Sequence, residues 1–99
     1  MIEAEFTFVD LKNEEKLIRF SHPIQDLKKV CMYVHIYFNG NLIENKLFFL
    51  EQQEIINNCI DIPIPKKIRS AKIEVKTPNE RNKIELLQVE IIYQSVLQE

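Results

Sequence analysis

Asn39-Gly40 sits between two runs of β-branched and aromatic residues, and no other feature of the 99-residue chain restricts its folding as strongly. Both positions of a two-residue hairpin turn need positive φ, which Asn and Gly adopt at least cost. Residues 30–38 (VCMYVHIYF) have strand composition, and residues 42–50 return antiparallel after the turn. Gly40 is also the only glycine in the sequence, which removes every glycine-rich phosphate loop from consideration.

A two-residue turn sets Phe38 opposite Asn41, and the register follows by counting outward. One face then pairs Ile36 with Ile43, Val34 with Asn45, Met32 with Leu47, and Val30 with Phe49. The other pairs Tyr37 with Leu42, His35 with Glu44, Tyr33 with Lys46, and Cys31 with Phe48. The first face is apolar apart from Asn41 and Asn45, and the second mixes rings with complementary charge. A slip of one residue would scramble that sorting. A three-residue loop that includes Asn41 would change the register.

Period-two alternation recurs along the chain, as strands with one buried face require. Ile2, Ala4, Phe6 and Phe8 alternate with Glu3, Glu5 and Thr7. A turn at Asn13-Glu14-Glu15 leads to a second strand in which Ile18 and Phe20 face inward, with Arg19 and Ser21 opposed. His22-Pro23 ends it, because proline lacks a donor and restricts the residue before it. Residues 51–58 read as a loop or a short helical turn. Ile60, Ile62 and Ile64 alternate with Asp61, Pro63 and Pro65, and these prolines predict an edge strand. Ala71, Ile73 and Val75 alternate with Lys72, Glu74 and Lys76, and residues 77–83 form a loop around Pro78 and Asn79. Residues 84–97 satisfy strand alternation through Leu87, Val89, Ile91 and Tyr93. They also satisfy helical spacing through Leu86, Val89, Tyr93, Val96 and Leu97. Their β-branched content favours the strand, with a short C-terminal helix lying on the sheet as the alternative.

About seven short strands with regular turn signals predict an all-β fold. The expected form is a single antiparallel β-sandwich over residues 1–99, immunoglobulin-like in architecture. The length fits one domain, and the 45% of apolar residues fall in patterned runs that argue against disorder. There is no tryptophan, and the counted register puts Cys31 on the outer face. The core signature of antibody domains is therefore missing.

A net charge of −2 gives no global field to draw in nucleic acid or an acidic membrane. No stretch approaches the ~18 apolar residues of a membrane span. The start, Met-Ile-Glu-Ala-Glu, carries acids where a signal peptide would carry basic residues, so the expected location is cytoplasmic. Cys31 and Cys59 fit a reduced compartment, and the sequence leaves a bridge between them open.

The residues give little to catalysis. Ser21, Ser70 and Ser95 lack the flanking glycines of a nucleophile elbow. Ser21 and His22 are neighbours on an extended chain and point to opposite faces. Glu3 with Glu5, and Glu14 with Glu15, read as solvated positions without the burial that raises a carboxyl pKa. Cys31 and His35 lie ~13 Å apart along one strand face, too far to converge on one zinc. His22 or Cys59 joining either of them across space is the remaining metal arrangement. No catalytic residue, metal ligand or cofactor is assigned.

Two surfaces remain. The outer hairpin face, Tyr33, His35, Tyr37, Leu42, Glu44, Lys46 and Phe48, has the makeup of a protein interface. Coverage of that face by another part of the chain is the competing reading. Lys66, Lys67, Arg69, Lys72 and Lys76, followed by Arg81 and Lys83, form a basic region that suggests a polyanion-binding edge. Edge lysines also serve to prevent aggregation, and the stacking aromatics lie elsewhere in sequence. The expected function is a non-catalytic protein-interaction or assembly module, an adaptor that binds a protein partner or a second copy of itself. Tyr33, His35, Tyr37 and Phe48 would be its anchors, with Glu44 and Lys46 setting orientation. A nucleic-acid-binding β domain using residues 66–83 is the alternative.

Overall fold

The computed structural model describes residues 2–9, 11–39, 41–49, 55–77 and 84–96, with residues 31, 41–49 and 84 described by their backbone. Among these are seven strands: β1 (Ile2–Thr7), β2 (Glu14–Ser21), β3 (Cys31–Phe38), β4 (Asn41–Phe49), β5 (Cys59–Ile64), β6 (Ser70–Lys76) and β7 (Gln88–Ser95). Single 3-10 turns cover Leu27–Lys29 and Ile84–Leu86. The strands form two antiparallel sheets, ordered β1-β6-β3-β4 and β5-β2-β7. The C-terminal segment is a strand, not the helix its apolar spacing also allowed. No described helix is long and apolar enough to cross a membrane.

The architecture is the expected β-sandwich, with its own strand order. In the immunoglobulin constant fold, strands one, two, five and four share a sheet, and strands three, six and seven form the other. Here the first and sixth strands join the central hairpin, and the second strand lies at the middle of the smaller sheet. Among the described strands only β3 and β4 are neighbours both in sequence and in space, so every other pairing joins strands separated in sequence by at least one strand of the opposite sheet.

The core is one layer between the sheets. Met32, Val34, Ile36 and Phe38 of β3 and Ala71, Ile73 and Val75 of β6 face Ile18 and Phe20 of β2 and Ile60, Ile62 and Ile64 of β5. Leu27, Val30, Phe8, Ile68 and Leu87 close its ends from the loops. The odd-even alternation seen in the sequence is therefore the inside-outside alternation of the sheets.

With a single glycine in the chain, asparagine takes the left-handed backbone positions among the described non-glycine residues. Asn13, Asn39, Asn57 and Asn58 have φ between 52° and 65°, a region where Asn is enriched because its side chain bonds locally. Asn39 has the φ that the hairpin turn demands, and Gly40 lies outside the described residues. The Asn39 Oδ1 also accepts from the Arg69 and Ser70 amides at 3.3 and 3.1 Å, pinning the turn to the start of β6. Asn58 donates from Nδ2 to the His22 and Gln25 carbonyls, and its Oδ1 accepts from the Leu27 amide at 2.8 Å. Buried His22 completes this loop by accepting at Nδ1 from the Ile24 and Gln25 amides.

The counted hairpin register holds only next to the turn. Phe38 stands opposite Asn41 and Tyr37 opposite Leu42, but a β-bulge follows and Ile36 stands opposite Glu44, not Ile43. From there every pair moves by one: His35 with Asn45, Val34 with Lys46, Tyr33 with Leu47, Met32 with Phe48 and Cys31 with Phe49. The extra residue leaves Ile43 without a partner, as a bulge does.

Candidate functional site

The outer face of the four-stranded sheet gathers residues that are far apart in sequence. Across β1, β6, β3 and β4, one row reads Glu3, Glu74, His35 and Asn45, and the next reads Glu5, Lys72, Tyr37 and Leu42. A third sets Lys76, Tyr33 and Leu47 side by side. Tyr33 is the most open of the three β3 side chains at 39% exposure, while His35 and Tyr37 are half-buried. They line up along β3 because its even-numbered residues are committed to the core.

The charges on this face are interleaved. The Lys72 Nζ lies 3.4 Å from Glu74 Oε1. Its hydrogen bond to Glu74, with Glu3 and Glu5 nearby, raises the lysine pKa above its ordinary value. Lys72 therefore keeps its charge but spends it locally, and the flank toward β1 is acidic through Glu3 and Glu5.

This placement revises both surfaces read from the sequence. Tyr33, His35, Tyr37 and Leu42 stay together by register. Glu44, Lys46 and Phe48 do not join them, because the bulge sets these three opposite Ile36, Val34 and Met32. The proposed cross-strand pairs His35 with Glu44 and Tyr33 with Lys46 are thus absent. The strand with Lys72 and Lys76 lies inside the sheet between β1 and β3, so it is not an edge. Lys66 and Lys67 are exposed in the turn after β5, and Arg69 is exposed just before β6. Lys76 is at the far end of that strand, ~20 Å from Ser70 at ~3.3 Å per residue. Lys76 therefore stands apart from the end of the strand that follows Lys66, Lys67 and Arg69. Arg81 and Lys83 lie outside the described residues.

The other sheet carries a different outer surface. Arg19 makes a bidentate pair with Asp61, Nε to Oδ1 at 2.8 Å and Nη2 to Oδ2 at 3.0 Å. The hydrogen bond to Asp61 raises the arginine pKa. Cys59 is a free thiol, so no bridge joins it to Cys31. Among the described residues no group of three or more His, Cys, Asp or Glu side chains could hold a metal ion.

Two polar residues escaped the sequence reading. Lys16 is buried at 6% exposure on the inward face of β2, its Nζ donating to the Ile68 carbonyl at 2.9 Å and the Lys66 carbonyl at 3.2 Å. The ammonium also lies 5.2 Å from the centre of the Phe8 ring, within cation–π range. Its parity with Ile18 and Phe20 was the signal that placed it inside. Glu14, read as solvated, has an Oε2 that is buried without a hydrogen-bond partner, while Glu15 is exposed. Both line a cavity of about 410 Å³ at this end of the sandwich, beside Lys16, Pro63 and Lys66. Its described lining contains no serine, cysteine or histidine.

Set against known proteins, the chain matches no protein-family model, no curated protein and no solved structure.

Proposed function

We propose that this domain is a non-catalytic interaction module that docks a protein partner on the outer face of its four-stranded sheet. The observation that carries this reading is the row Tyr33, His35 and Tyr37 on β3, flanked by Lys72, Glu74 and Lys76 of β6. Tyrosines give large, rigid contact area with a polar tip, and few rotamers are lost when they are covered. The interleaved Lys72–Glu74 pair and the acidic Glu3 and Glu5 flank give such a face an orientation as well as an area. The favoured partner surface sets apolar groups over Tyr33 and cations toward Glu3 and Glu5. A bare stripe of lysines would instead favour a polyanion, but here Lys72 is met by Glu74 and Glu5, and Lys76 stands in a separate row beside Tyr33.

Affinity capture from the native cell extract tests the reading, comparing the wild-type domain with Tyr33→Ala and with a Glu3→Lys, Glu5→Lys double variant. A hot-spot aromatic truncated to alanine typically costs ~2 kcal/mol or more in binding, roughly thirtyfold in Kd. The expected result is loss of the same captured protein with both variants while their melting temperatures stay near wild type. An identical captured set from all three proteins would refute the proposal.

A further inference from the structure

The free edge of β7 is unlike the other sheet edges. Edge strands invite pairing with another chain, and proteins blunt them with prolines, lysines, charges or bulges. β1 exposes Glu3 and Glu5, β4 carries the register shift, and β5 carries Pro63. β7 (QVEIIYQS) has no proline, lysine or bulge, has Glu90 as its one charge, and is paired with β2 over all eight residues. Val89, Ile91, Ile92 and Tyr93 along it are only half-buried. Among the described residues no strand pairs with its second edge.

The hydrogen-bond phase says which groups that edge offers. The Val96 amide donates to the Asn13 carbonyl at 2.8 Å, one step beyond the Glu14 and Ser95 pair. Main-chain groups alternate between the two sides of an antiparallel strand. Gln88, Glu90, Ile92 and Gln94 therefore bond toward β2, and Val89, Ile91, Tyr93 and Ser95 direct their N–H and C=O groups outward. Pro63 obeys the same phase, with its missing donor on the free side of β5.

We propose that β7 pairs antiparallel with the β7 of a second copy of this chain, about a two-fold axis through Ile92. A two-fold perpendicular to the sheet keeps the inner face inner, so residues of equal parity meet. Centred on Ile92, it sets Ile91 opposite Tyr93, Val89 opposite Ser95 and Glu90 opposite Gln94. Every outward N–H then meets an outward C=O, and each Glu90 carboxylate faces an amide instead of its own copy. The strand is thus complementary to itself in charge as well as in hydrogen bonding. The two half-buried inner rows continue one another, and the smaller sheet becomes a six-stranded sheet shared by two chains. Two-fold closure consumes the edge in both copies and prevents open-ended growth. The aromatic face on the other sheet is untouched, so this interface is independent of the docking surface proposed above.

Sedimentation equilibrium of the wild-type chain over a range of concentrations gives the first readout, with a two-chain mass expected. Ile92→Lys sets two ammonium groups face to face at the axis and is expected to shift the mass to one chain while the circular dichroism spectrum is kept. In a Cys31→Ser, Cys59→Ser background, Ile92→Cys places two thiols at a non-hydrogen-bonded pair. Their Cβ atoms lie ~4.5–5.5 Å apart there, close enough for a disulfide after a small adjustment. Mild oxidation should cross-link it much faster than Gln94→Cys, whose thiol faces Glu90. A single-chain mass at every concentration would overturn the proposal. So would a dimer indifferent to Ile92→Lys, or cross-linking at 94 as fast as at 92. Should Ile92→Lys fail to fold, the two cysteine variants decide alone.

Discussion

Replacing Lys16 by methionine should weaken the fold modestly, and replacing it by alanine should weaken it severely. The ammonium holds the turn between β5 and β6 by charged hydrogen bonds to Ile68 and Lys66 carbonyls, of which the first is buried and the second partly so. Methionine keeps most of the stem and removes the donor. The Ile68 carbonyl is then left unsatisfied at a cost of ~1–3 kcal/mol. The Lys66 carbonyl sits in an exposed turn where water can replace the bond. Removal of the ammonium also relieves its own desolvation, so the net for Lys16→Met falls at roughly 1–2 kcal/mol. Alanine additionally loses Cγ, Cδ and Cε at ~0.8 kcal/mol per methylene, which takes the total to roughly 3–5 kcal/mol. Urea unfolding with both variants measures this, read as a shift in midpoint at constant slope. Amide exchange at Ile68, in the turn before β6, should quicken in Lys16→Met before β6 itself is affected. A methionine variant as stable as wild type would refute the reasoning, because the ammonium would then contribute nothing beyond its hydrocarbon stem.

Other perturbations separate the remaining parts of the fold. Phe20→Ala empties a fully buried site on the central strand of the smaller sheet and should cost ~3–5 kcal/mol in chemical denaturation. Asn58→Ala removes three hydrogen bonds and a residue suited to positive φ, so it should destabilise by roughly 2–4 kcal/mol. Asn58→Gly keeps the backbone conformation and should recover about 1 kcal/mol of that loss. Equal melting temperatures for the alanine and glycine variants would show that strain at this position is negligible.

Much of the architecture was legible because alternation is a local signal. Ile60, Ile62 and Ile64 declare an inner face whatever they pair with, and Pro63 declares an edge. The Asn39 turn was equally local, since positive φ is a property of one residue. The bulge was not legible, and the reason lies in β4 itself. Leu42-Ile43 and Phe48-Phe49 are adjacent apolar pairs, so either parity can be read as inward, and one inserted residue changes no composition. That single shift removed Glu44, Lys46 and Phe48 from the aromatic row. Strand order was also beyond the sequence, because the neighbours of β6 are set by packing between segments at least 30 residues away. The same packing brought Lys72 and Lys76 of the basic region beside Tyr37 and Tyr33. Lys16 was legible in principle, since its parity matched Ile18 and Phe20. A lysine at such a position reads as exposed only when residue type is allowed to outweigh position.

Site-specific photo-crosslinking in living cells tests the docking face most directly, with a benzophenone amino acid at position 33 and, separately, at position 61 on β5, exposed on the other sheet and away from the β7 edge. The interaction-module account predicts one dominant adduct with another protein from position 33, weakened when Glu3 and Glu5 are reversed in charge, and no such adduct from position 61. Adducts of equal yield from both positions, or none from position 33, would contradict it.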